Sequence, residues 1–314
     1  MKKTNDFGRF DFVGNIGLFG GISLVLTFVS LVYLATTGIN YGIDFRGGTE
    51  VQVKFSGPTI SIDQVRASVE KLKLGDVGLQ GFGDANEFVL RFQTPKLETE
   101  KAQNEAMQKQ ISDLKSTLET DFKEASPEFR RVDTVGPQVG AELKRNGFLA
   151  VFYCLLVILG YVAFRFDYQY APGAVICLFH DAVITLAIFN LVGKEMNVPA
   201  LAAIMTLIGF SLNDTIVVFD RIRETVSQYG DRGWKFVINK AINDMLVRTI
   251  ITSGTVFTSA FCLFIFAEGS VKDIAFALTV GIIFGVYSSV YVAAPLILVF
   301  DKLRGSKLAK MQTT

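Results

Sequence analysis

One carboxylate draws attention because it lies inside a stretch of the chain that is otherwise apolar. Asp214 is flanked by Asn213 and Thr215 within the run 198–219, which is long enough to cross a bilayer. A carboxylate at membrane depth costs about 2.5–3.5 kcal/mol on insertion scales. Ionisable residues inside membrane segments commonly mark ion or proton pathways. We therefore take Asp214 and its polar neighbours as the first candidates for proton binding.

Other ionisable side chains are expected at a similar depth. His180 and Asp181 lie about 12 Å into the run 172–192, at 1.5 Å per residue. Asp214 lies roughly 8 Å from the cytoplasmic end of its own run, and Arg248 follows the start of the run 246–267. Burial favours the neutral form of a carboxylate, whereas a nearby arginine favours the charged form. Movement of Arg248 relative to Asp214 would therefore act as a proton-binding switch.

Each of these additional residues also has a simpler interpretation. Arg248 could extend to the lipid headgroups and keep its charge in water. His180 and Asp181 could be a buried hydrogen-bonded pair that fixes helix packing. The hydroxyl residues of the fifth apolar run more often hold helices together than conduct protons; they are Ser253, Thr255, Thr258 and Ser259.

The elements that must carry these residues are long apolar helices. The chain has 314 residues, of which 50% are hydrophobic and only 19% charged. Apolar runs near the length of a membrane-spanning helix recur along it; they are 16–37, 147–164, 172–192, 198–219, 246–267 and 274–300. The first run is too long for the apolar core of a secretory signal and is predicted to be retained. The fold class is therefore a polytopic α-helical membrane protein with six transmembrane helices.

The charge pattern predicts the orientation in the membrane. Two short connectors, near 193–197 and 268–273, carry one basic residue each, Lys194 and Lys272. The other side collects the remaining basic residues near the spans: Lys2, Lys3, Arg9, Arg165, Arg221, Arg223, Arg232, Lys235, Lys240, Lys302, Arg304, Lys307 and Lys310. Basic residues favour the cytoplasmic side, so the segments 1–15 and 301–314 are both predicted to be cytoplasmic.

The longest cytoplasmic connection, 220–245, is predicted to contain an amphipathic helix. Trp234, Ile238, Ala241, Ile242 and Met245 fall on one face of it. This face could lie on the inner leaflet of the membrane or pack on the spans.

Residues 38–146, between the first two spans, have the character of a soluble domain. Val51, Val53 and Phe55 alternate with polar residues, as in a half-buried strand. Ser61 to Gln64 matches a capping box at the start of a helix. Two further strands, a second helix and a weaker fourth strand follow. The order is βαββαβ, which predicts a ferredoxin-like α+β domain on the periplasmic side.

Two glycine-containing segments join this domain to the membrane. Gly42, Asp44, Gly47 and Gly48 lie between the first span and the first strand. The return to the second span contains Gly136 and Pro137. These joints are interpreted either as tight, well-packed turns or as hinges that transmit motion between membrane and outer domain.

Patterns typical of enzymes do not occur in the sequence, which has no G-x-S-x-G, P-loop or H-E-x-x-H motif. The single histidine excludes a multi-histidine metal site. The three cysteines lie in apolar runs and are interpreted as small buried residues. A net charge of +1 argues against nucleic-acid binding. We expect a transport component with no catalytic role, cofactor or metal.

Several of these segments together resemble the SecF family of bacterial protein export, the smaller subunits of the SecD–SecF accessory complex. The resemblance rests on 42–49, 164–181, 209–224 with its Asn-Asp-Thr, 248–255 and 273–295, in the expected order. In the outer domain, 56–133, only the architecture matches. The residues Asn243-Asp244-Met245 depart from the more polar, uncharged neighbourhood expected before Arg248.

The resemblance implies a half-transporter of the RND superfamily type in the bacterial inner membrane. It implies a heterodimer with SecD, in which six spans from each chain form a 12-span unit. It also implies SecYEG, SecA, small accessory membrane subunits and the translocating polypeptide as further partners. By position, Asp214 and Arg248 match the membrane charges that the family uses for proton transfer, and inward proton flow would drive late translocation on the periplasmic side. The alternatives are a self-sufficient RND-like exporter of small molecules or lipids, and a structural subunit without transport.

Overall fold

The computed structural model describes residues 8–303 except 76, 84–85, 94–96, 98 and 167–169. The basic residues Lys2, Lys3, Arg304, Lys307 and Lys310 therefore lie outside the described residues. The helices are α1 (Ile16–Thr37), α2 (Ile43–Arg46), α3 (Ile62–Glu70), α4 (Glu100–Asp121), α5 (Pro137–Arg165), α6 (Ala171–Leu191), α7 (Val198–Tyr229), α8 (Gly233–Phe266), α9 (Gly269–Ser288) and α10 (Ala294–Leu303). The strands are β1 (Gly48–Phe55), β2 (Gly78–Gly81), β3 (Glu87–Phe92) and β4 (Pro127–Val135). The chain divides into a helical unit, residues 8–39, 150–194 and 199–303, and an α+β unit, residues 40–149 and 195–198.

The α+β unit follows the βαββαβ order that the sequence predicts. Its strands form one antiparallel sheet in the order β2-β3-β1-β4. Alternation places Val51, Val53 and Phe55 of β1 in the core, each at most 1% exposed. Leu114 and Leu118 of α4 cover this face and are fully buried. The period of two in the strand and the helical spacing in α4 therefore meet in one apolar core.

The first helix of this unit begins where the sequence predicts. Ser61 Oγ accepts a hydrogen bond from the backbone N–H of Gln64 at 3.3 Å, and Gln64 Oε1 accepts one from the backbone N–H of Ser61 at 2.9 Å. This reciprocal capping box satisfies two backbone donors that the first turn of a helix leaves free.

The described residues contain five runs of helix that are long and apolar enough to cross a membrane. They are Val13–Thr37, Pro137–Arg165, Ala171–Leu191, Val198–Phe266 and Gly269–Phe300. The fourth run contains two helices, α7 and α8, which a 3₁₀ turn at Gly230–Arg232 separates. The sequence places two spans in this run. The number and length of these apolar helices identify the chain as a multi-pass membrane protein.

The segment 220–245 is more helical than a connecting loop. Helix α7 continues to Tyr229 and α8 begins at Gly233, because both keep a buried face beyond their apolar cores. Ile222 on α7 is fully buried, and Ile238 and Ala241 on α8 are at most 1% exposed. Burial by protein favours a helix packed on the spans over one lying on the leaflet.

Small residues bring α7 and α9 close together in the helical unit. A Cβ atom added at Gly281 would lie 2.3 Å from Leu207 Cδ2, and one added at Gly285 would lie 3.4 Å from Ser211 Cβ. These glycines form a G-x-x-x-G pair, which permits close approach of membrane helices. Helix α6 packs against both α1 and α9. Helices α6, α7 and α9 therefore enclose the interior of the unit.

Candidate functional site

Asp214 lies on α7 beside a small cavity that both polar and apolar side chains line. Its Oδ2 accepts a hydrogen bond from Ser253 Oγ of α8 at 2.7 Å. The cavity has a volume of about 90 Å³, enough for a few water molecules at about 30 Å³ each. Its lining comes from α7, α8 and α9: Leu207, Phe210, Ser211, Asn213, Asp214, Thr252, Ser253, Val256, Ile282, Gly285 and Val286. Ser253 thus contacts the candidate proton site directly, although the sequence alone favours a packing role for it.

The neighbours of Asp214 point in different directions. Asn213 is exposed, whereas Thr215 is completely buried. Thr215 Oγ1 lies 3.1 Å from Ser289 Oγ and 3.8 Å from Cys177 Sγ. Of these two neighbours, Asn213 lines the same cavity as Asp214, and Thr215 does not. The Asn-Asp-Thr sequence therefore serves two environments rather than one.

Arg248 does not contact Asp214 in this structure. Its side chain is exposed, and within the described residues neither a hydrogen bond nor an ion pair joins the two side chains. Arg248 precedes Ser253 by five residues, which is about 7.5 Å along the axis and about 140° around the helix. The similar depth that the sequence indicates is therefore not sufficient to bring the two charges together.

His180 and Asp181 form the centre of a buried hydrogen-bond network on α6. Their Nδ1 and Oδ1 atoms lie 2.8 Å apart, and both side chains are buried. Asp181 Oδ2 accepts hydrogen bonds from Ser211 Oγ of α7 at 2.5 Å and from Ser288 Oγ of α9 at 2.8 Å. Cys177 Sγ lies 3.1 Å from Ser288 Oγ. Asp181 thus joins three helices, as expected for a buried polar side chain that needs hydrogen-bond partners.

Sequence reasoning missed Ser211, Ser288 and the glycines that admit them. Single serines in apolar runs carry little signal, because they are common in membrane helices. The spacing Gly281 to Gly285 was a usable signal, since it places a close helix contact beside Ser211. The five-residue π-helical segment Ser289–Ala293 follows α9 directly. Such segments occur frequently at functional sites.

Charged side chains join α7 and α8 near the 3₁₀ turn Gly230–Arg232 that separates them. Arg221 of α7 donates to Asp244 Oδ2 of α8 at 2.6 Å. Lys240 pairs with the other oxygen of Asp244 at 2.6 Å. Asp244 is part of the Asn-Asp-Met departure from the family pattern, so the departure supplies the ion pair that positions these helices.

The segment that precedes α1 is bound to the start of α8. Asn243 accepts a hydrogen bond from the backbone N–H of Phe10 at 3.0 Å and donates to its carbonyl at 2.8 Å. The buried Asn239 accepts from the backbone N–H of Val13 at 2.9 Å and donates to Asp11 Oδ1 at 2.8 Å. Helix α8, which carries Ser253 and Arg248, is therefore anchored at its first turns.

The two glycine-containing joints contact each other in the α+β unit. Gly47 has φ +76°, and a Cβ atom there would lie 2.7 Å from Pro137 Cα. A Cβ atom at Gly140 would lie 2.8 Å from Gly47 N. By contrast, none of the described atoms lies within 4 Å of a Cβ position built on Gly136. The close approach of Pro137 to Gly47 favours a tightly packed junction at this point.

Asp44 connects this junction to the start of α7. Its Oδ2 accepts a hydrogen bond from the backbone N–H of Val198, the first residue of α7, at 2.8 Å. The backbone N–H of Gly42 also donates to the carbonyl of Met196 at 2.8 Å. A carboxylate at a helix N-terminus complements the helix dipole and satisfies a free donor. The first residue of α7, the helix that carries Asp214, is therefore hydrogen-bonded to Asp44 of the glycine-containing segment.

Comparisons with known proteins identify the family. The profile of the family "Protein export membrane protein SecD/SecF, C-terminal" matches residues 115–303, and that of the "SecD/SecF GG Motif" matches residues 32–59. The chain is 40% identical to the protein translocase subunit SecF of Calditerrivibrio nitroreducens, over 97% of this chain and 98% of that protein. Identity to the SecF of Magnetococcus marinus is 42%, over 98% and 96%. The chain belongs to the SecF family.

The solved structures that resemble this SecF-family chain are of SecDF proteins. The crystal structure of SecDF from Thermus thermophilus, described as a translocon-associated membrane protein, matches with a TM-score of 0.82 and 30% identity. That match covers 94% of this chain but only 39% of the SecDF chain. SecDF in a super-membrane-facing form matches with a TM-score of 0.69 and 30% identity, over 100% and 41%. The SecF-family chain thus spans about two fifths of these longer proteins.

Proposed function

We propose that the chain is the proton-coupled subunit of the protein-export machinery and that Asp214 binds the proton. The observation that carries this proposal is the position of Asp214, within an apolar helix and on the wall of a cavity that also has hydroxyl groups in its lining. Its hydrogen bond to Ser253 leaves the second carboxylate oxygen available for proton exchange. Proton flow into the cytoplasm would then assist late translocation and release of polypeptide on the periplasmic side.

A SecD subunit would supply the other half of the transport unit. This chain matches about two fifths of the SecDF chains, and the proposed SecD subunit would correspond to the rest. Helices α1, α5 and α8 expose large apolar side chains that lipid or a partner can cover; examples are Leu24, Phe28, Phe164, Val247 and Phe266. The proposed assembly is a 12-span unit of the RND type, acting with SecYEG, SecA and small accessory subunits.

The proposed topology has six spans with both ends in the cytoplasm. The run Val198–Phe266 has 69 residues, more than twice the ~20 that one crossing needs, and it turns at Gly230–Arg232. Counting α7 and α8 as separate spans gives the even number that places both termini on one side. The positive-inside rule places that side in the cytoplasm, and the α+β unit then lies in the periplasm.

Arg248 would take part in a second state of the site. In the state described here Asp214 Oδ2 accepts a hydrogen bond from the hydroxyl of Ser253, and no arginine among the described residues contacts the carboxyl group. Rotation or sliding of α8 against α7 would bring Arg248 closer and favour release of the proton. The ion pair between Arg221 and Asp244 limits this motion at one end of the helices.

The hydrogen bond between Asp44 and Val198 would couple the proton site to the outer unit. A shift of α7 that follows proton binding at Asp214 would act on its first residue. Asp44 belongs to the segment next to Gly47 and Gly48, so the shift would reach the base of β1. In this proposal the junction transmits movement as a packed contact.

Replacement of Asp214 by asparagine tests the proposal. Asp214→Asn keeps the shape and the hydrogen bond to Ser253 but cannot release a proton. We expect normal expression and SecD binding, with loss of proton uptake in reconstituted vesicles and of proton-dependent export in cells. Export is measured in a strain that lacks the wild-type copy.

The matched control is Asp220→Asn on the same helix. Asp220 is an exposed carboxylate that pairs with Arg223 at 2.9 Å, away from the cavity. This variant should retain proton uptake and export. Normal proton-dependent export by Asp214→Asn would contradict the proposal, and dye efflux by a homo-oligomer without SecD would favour a self-sufficient exporter.

A further inference from the structure

One hydroxyl group, that of Ser211, connects the buried pair His180–Asp181 to the cavity beside Asp214. Ser211 Oγ donates to Asp181 Oδ2 at 2.5 Å, and Ser211 also lines the cavity that contains Asp214. Asp214 and Ser211 are three residues apart on α7, so they lie on adjacent turns of one face. Ser211 is therefore the described side chain that touches both environments.

We propose that Ser211 transfers protons between the cavity of Asp214 and a second, buried proton-binding station formed by Asp181 and His180. This inference rests on the proposed function of Asp214 and extends it from one carboxylate to two. A hydroxyl group can accept a proton and donate its own, so it can pass a proton without changing its charge.

The proton transfer balances in a simple way. Protonated Asp214 gives its proton to water in the cavity, and that water donates a proton to Ser211 Oγ. The original hydroxyl hydrogen of Ser211 moves to Asp181 Oδ2. One negative charge then resides on Asp214 instead of Asp181, and Ser211 is again neutral.

The surroundings of Asp181 suit a station that gains and loses a proton. In the charged form, Asp181 Oδ1 pairs with His180 Nδ1, and Oδ2 accepts from Ser211 and Ser288. His180 Nε2 is buried and has no hydrogen-bond partner among the described residues. A buried polar atom without a partner is costly in an ordinary packing role. The imidazole thus keeps one nitrogen available for a proton when the charge of Asp181 changes.

Close packing of α9 surrounds the hydroxyl of Ser211, through which the proposed proton transfer passes. Gly285 approaches both groups, since an added Cβ atom would lie 3.4 Å from Ser211 Cβ and 3.8 Å from Asp181 Oδ2. On the described helices, Asp181 and Cys177 of α6 contact Ser211, His180 is hydrogen-bonded to Asp181, and Asp214 of α7 lines the same cavity as Ser211. A larger residue at 285 would separate the cavity from the buried station.

Ser288 provides a matched control for the hydroxyl of Ser211. Both serines donate to the same oxygen of Asp181, at 2.8 Å and 2.5 Å, but only Ser211 lines the cavity. Ser211→Ala should lower proton flux through the SecD-containing complex in vesicles on the order of 100-fold, as for removal of a positioned proton carrier. Ser211→Thr should restore most of the flux, and Ser288→Ala should lower it far less.

The outcomes separate this inference from the proposed function. Wild-type flux in Ser211→Ala, together with loss of flux in Asp214→Asn, would overturn the role of Ser211 and leave the role of Asp214 intact. Equal losses in Ser211→Ala and Ser288→Ala would assign both serines to packing. Retained flux in Asp214→Asn would instead contradict the proposed function itself.

Infrared spectroscopy of the wild-type complex tests the order of transfer without a serine variant. After a rapid acidification, the carboxyl bands of Asp214 and Asp181 are identified by their loss in Asp214→Asn and Asp181→Asn. The Asp214 band should appear first, and the Asp181 band should be delayed or absent in Asp214→Asn. Protonation of Asp181 before Asp214 would overturn the proposal.

Discussion

The interiors of the two units differ in what they bury. The core of the α+β unit consists of apolar side chains from β1, β3, α3 and α4, such as Val51, Leu90 and Leu114. The interior of the helical unit instead encloses His180 and Asp181 with their hydroxyl partners. Burying apolar area stabilises a fold without specifying chemistry, whereas a buried carboxylate costs free energy and needs hydrogen bonds. The apolar interior therefore contributes mainly to stability, and the polar interior is where the proposed proton transfer would take place.

The largest effect on this contrast is expected from Leu114→Ala in the α+β core. Leu114 is fully buried, so the truncation should lower the free energy of unfolding of this unit by about 2–5 kcal/mol. Hydrogen exchange on the full chain should show faster exchange in β1 and β3, with α6 and α7 unchanged. Leu24→Ala is the control, because Leu24 on α1 is 72% exposed. Equal loss of protection in both units would break the contrast.

A smaller effect is expected at the glycine-containing junction within the α+β unit. Gly47→Ala places a side chain at φ +76° and against Pro137, at a cost of about 1–3 kcal/mol for the backbone strain alone. Gly136→Ala adds a methyl group where no described atom lies within 4 Å. A packed junction predicts a lower unfolding temperature for Gly47→Ala and normal export for Gly136→Ala.

Loss of export by a stably folded Gly136→Ala variant would favour a hinge. That substitution removes backbone freedom without a steric clash, so its effect on export reports flexibility. Both variants are compared at equal protein level, with proton uptake measured in parallel.

The smallest effect is expected from a charged group on the surface of the α+β unit. Lys71 Nζ, at 2.6 Å, and Ser68 Oγ, at 2.7 Å, hold the pKa of Asp121 below its ordinary value. A lowered pKa means that the contribution to stability is present above the ordinary carboxyl pKa and is lost as the pH falls through the folded value. Wild type should therefore lose more stability than Asp121→Asn between mildly and strongly acidic pH, measured by thermal unfolding. Identical acid sensitivity would show that the Lys71 pair contributes nothing.

The sequence predicts the α+β unit well because its signals are local. The capping residues Ser61 and Gln64 and the alternation in β1 each depend on neighbours a few positions away. The same holds for the buried stripe of α4, since Leu114 and Leu118 are one turn apart. Local periodicity of this kind determines which side chains share a face.

The site in the helical unit is less predictable, because residue counting gives the depth of a side chain in the membrane but not its direction around the helix. Asp181, Asp214 and Arg248 have similar depths by residue count, but the direction of each side chain around its helix depends on packing. The pairing of Asp181 with Ser211 depends on the helix contacts at Gly281 and Gly285. These contacts join residues more than 60 positions apart in the chain, which no local pattern contains.

The π-helical segment Ser289–Ala293 changes the way neighbouring residues share the interior. In a regular α-helix consecutive side chains point about 100° apart, so two adjacent serines rarely reach the same buried region. Here Ser288 reaches Asp181 and Ser289 reaches Thr215, at the point where α9 gives way to the wider segment. A deletion of one residue in this segment would replace the wider i→i+5 turn by a regular i→i+4 turn and change which side chains around Ser289 face the interior. The length of the sequence between Gly285 and Ala294 is therefore as much a part of the buried network as the identity of its side chains.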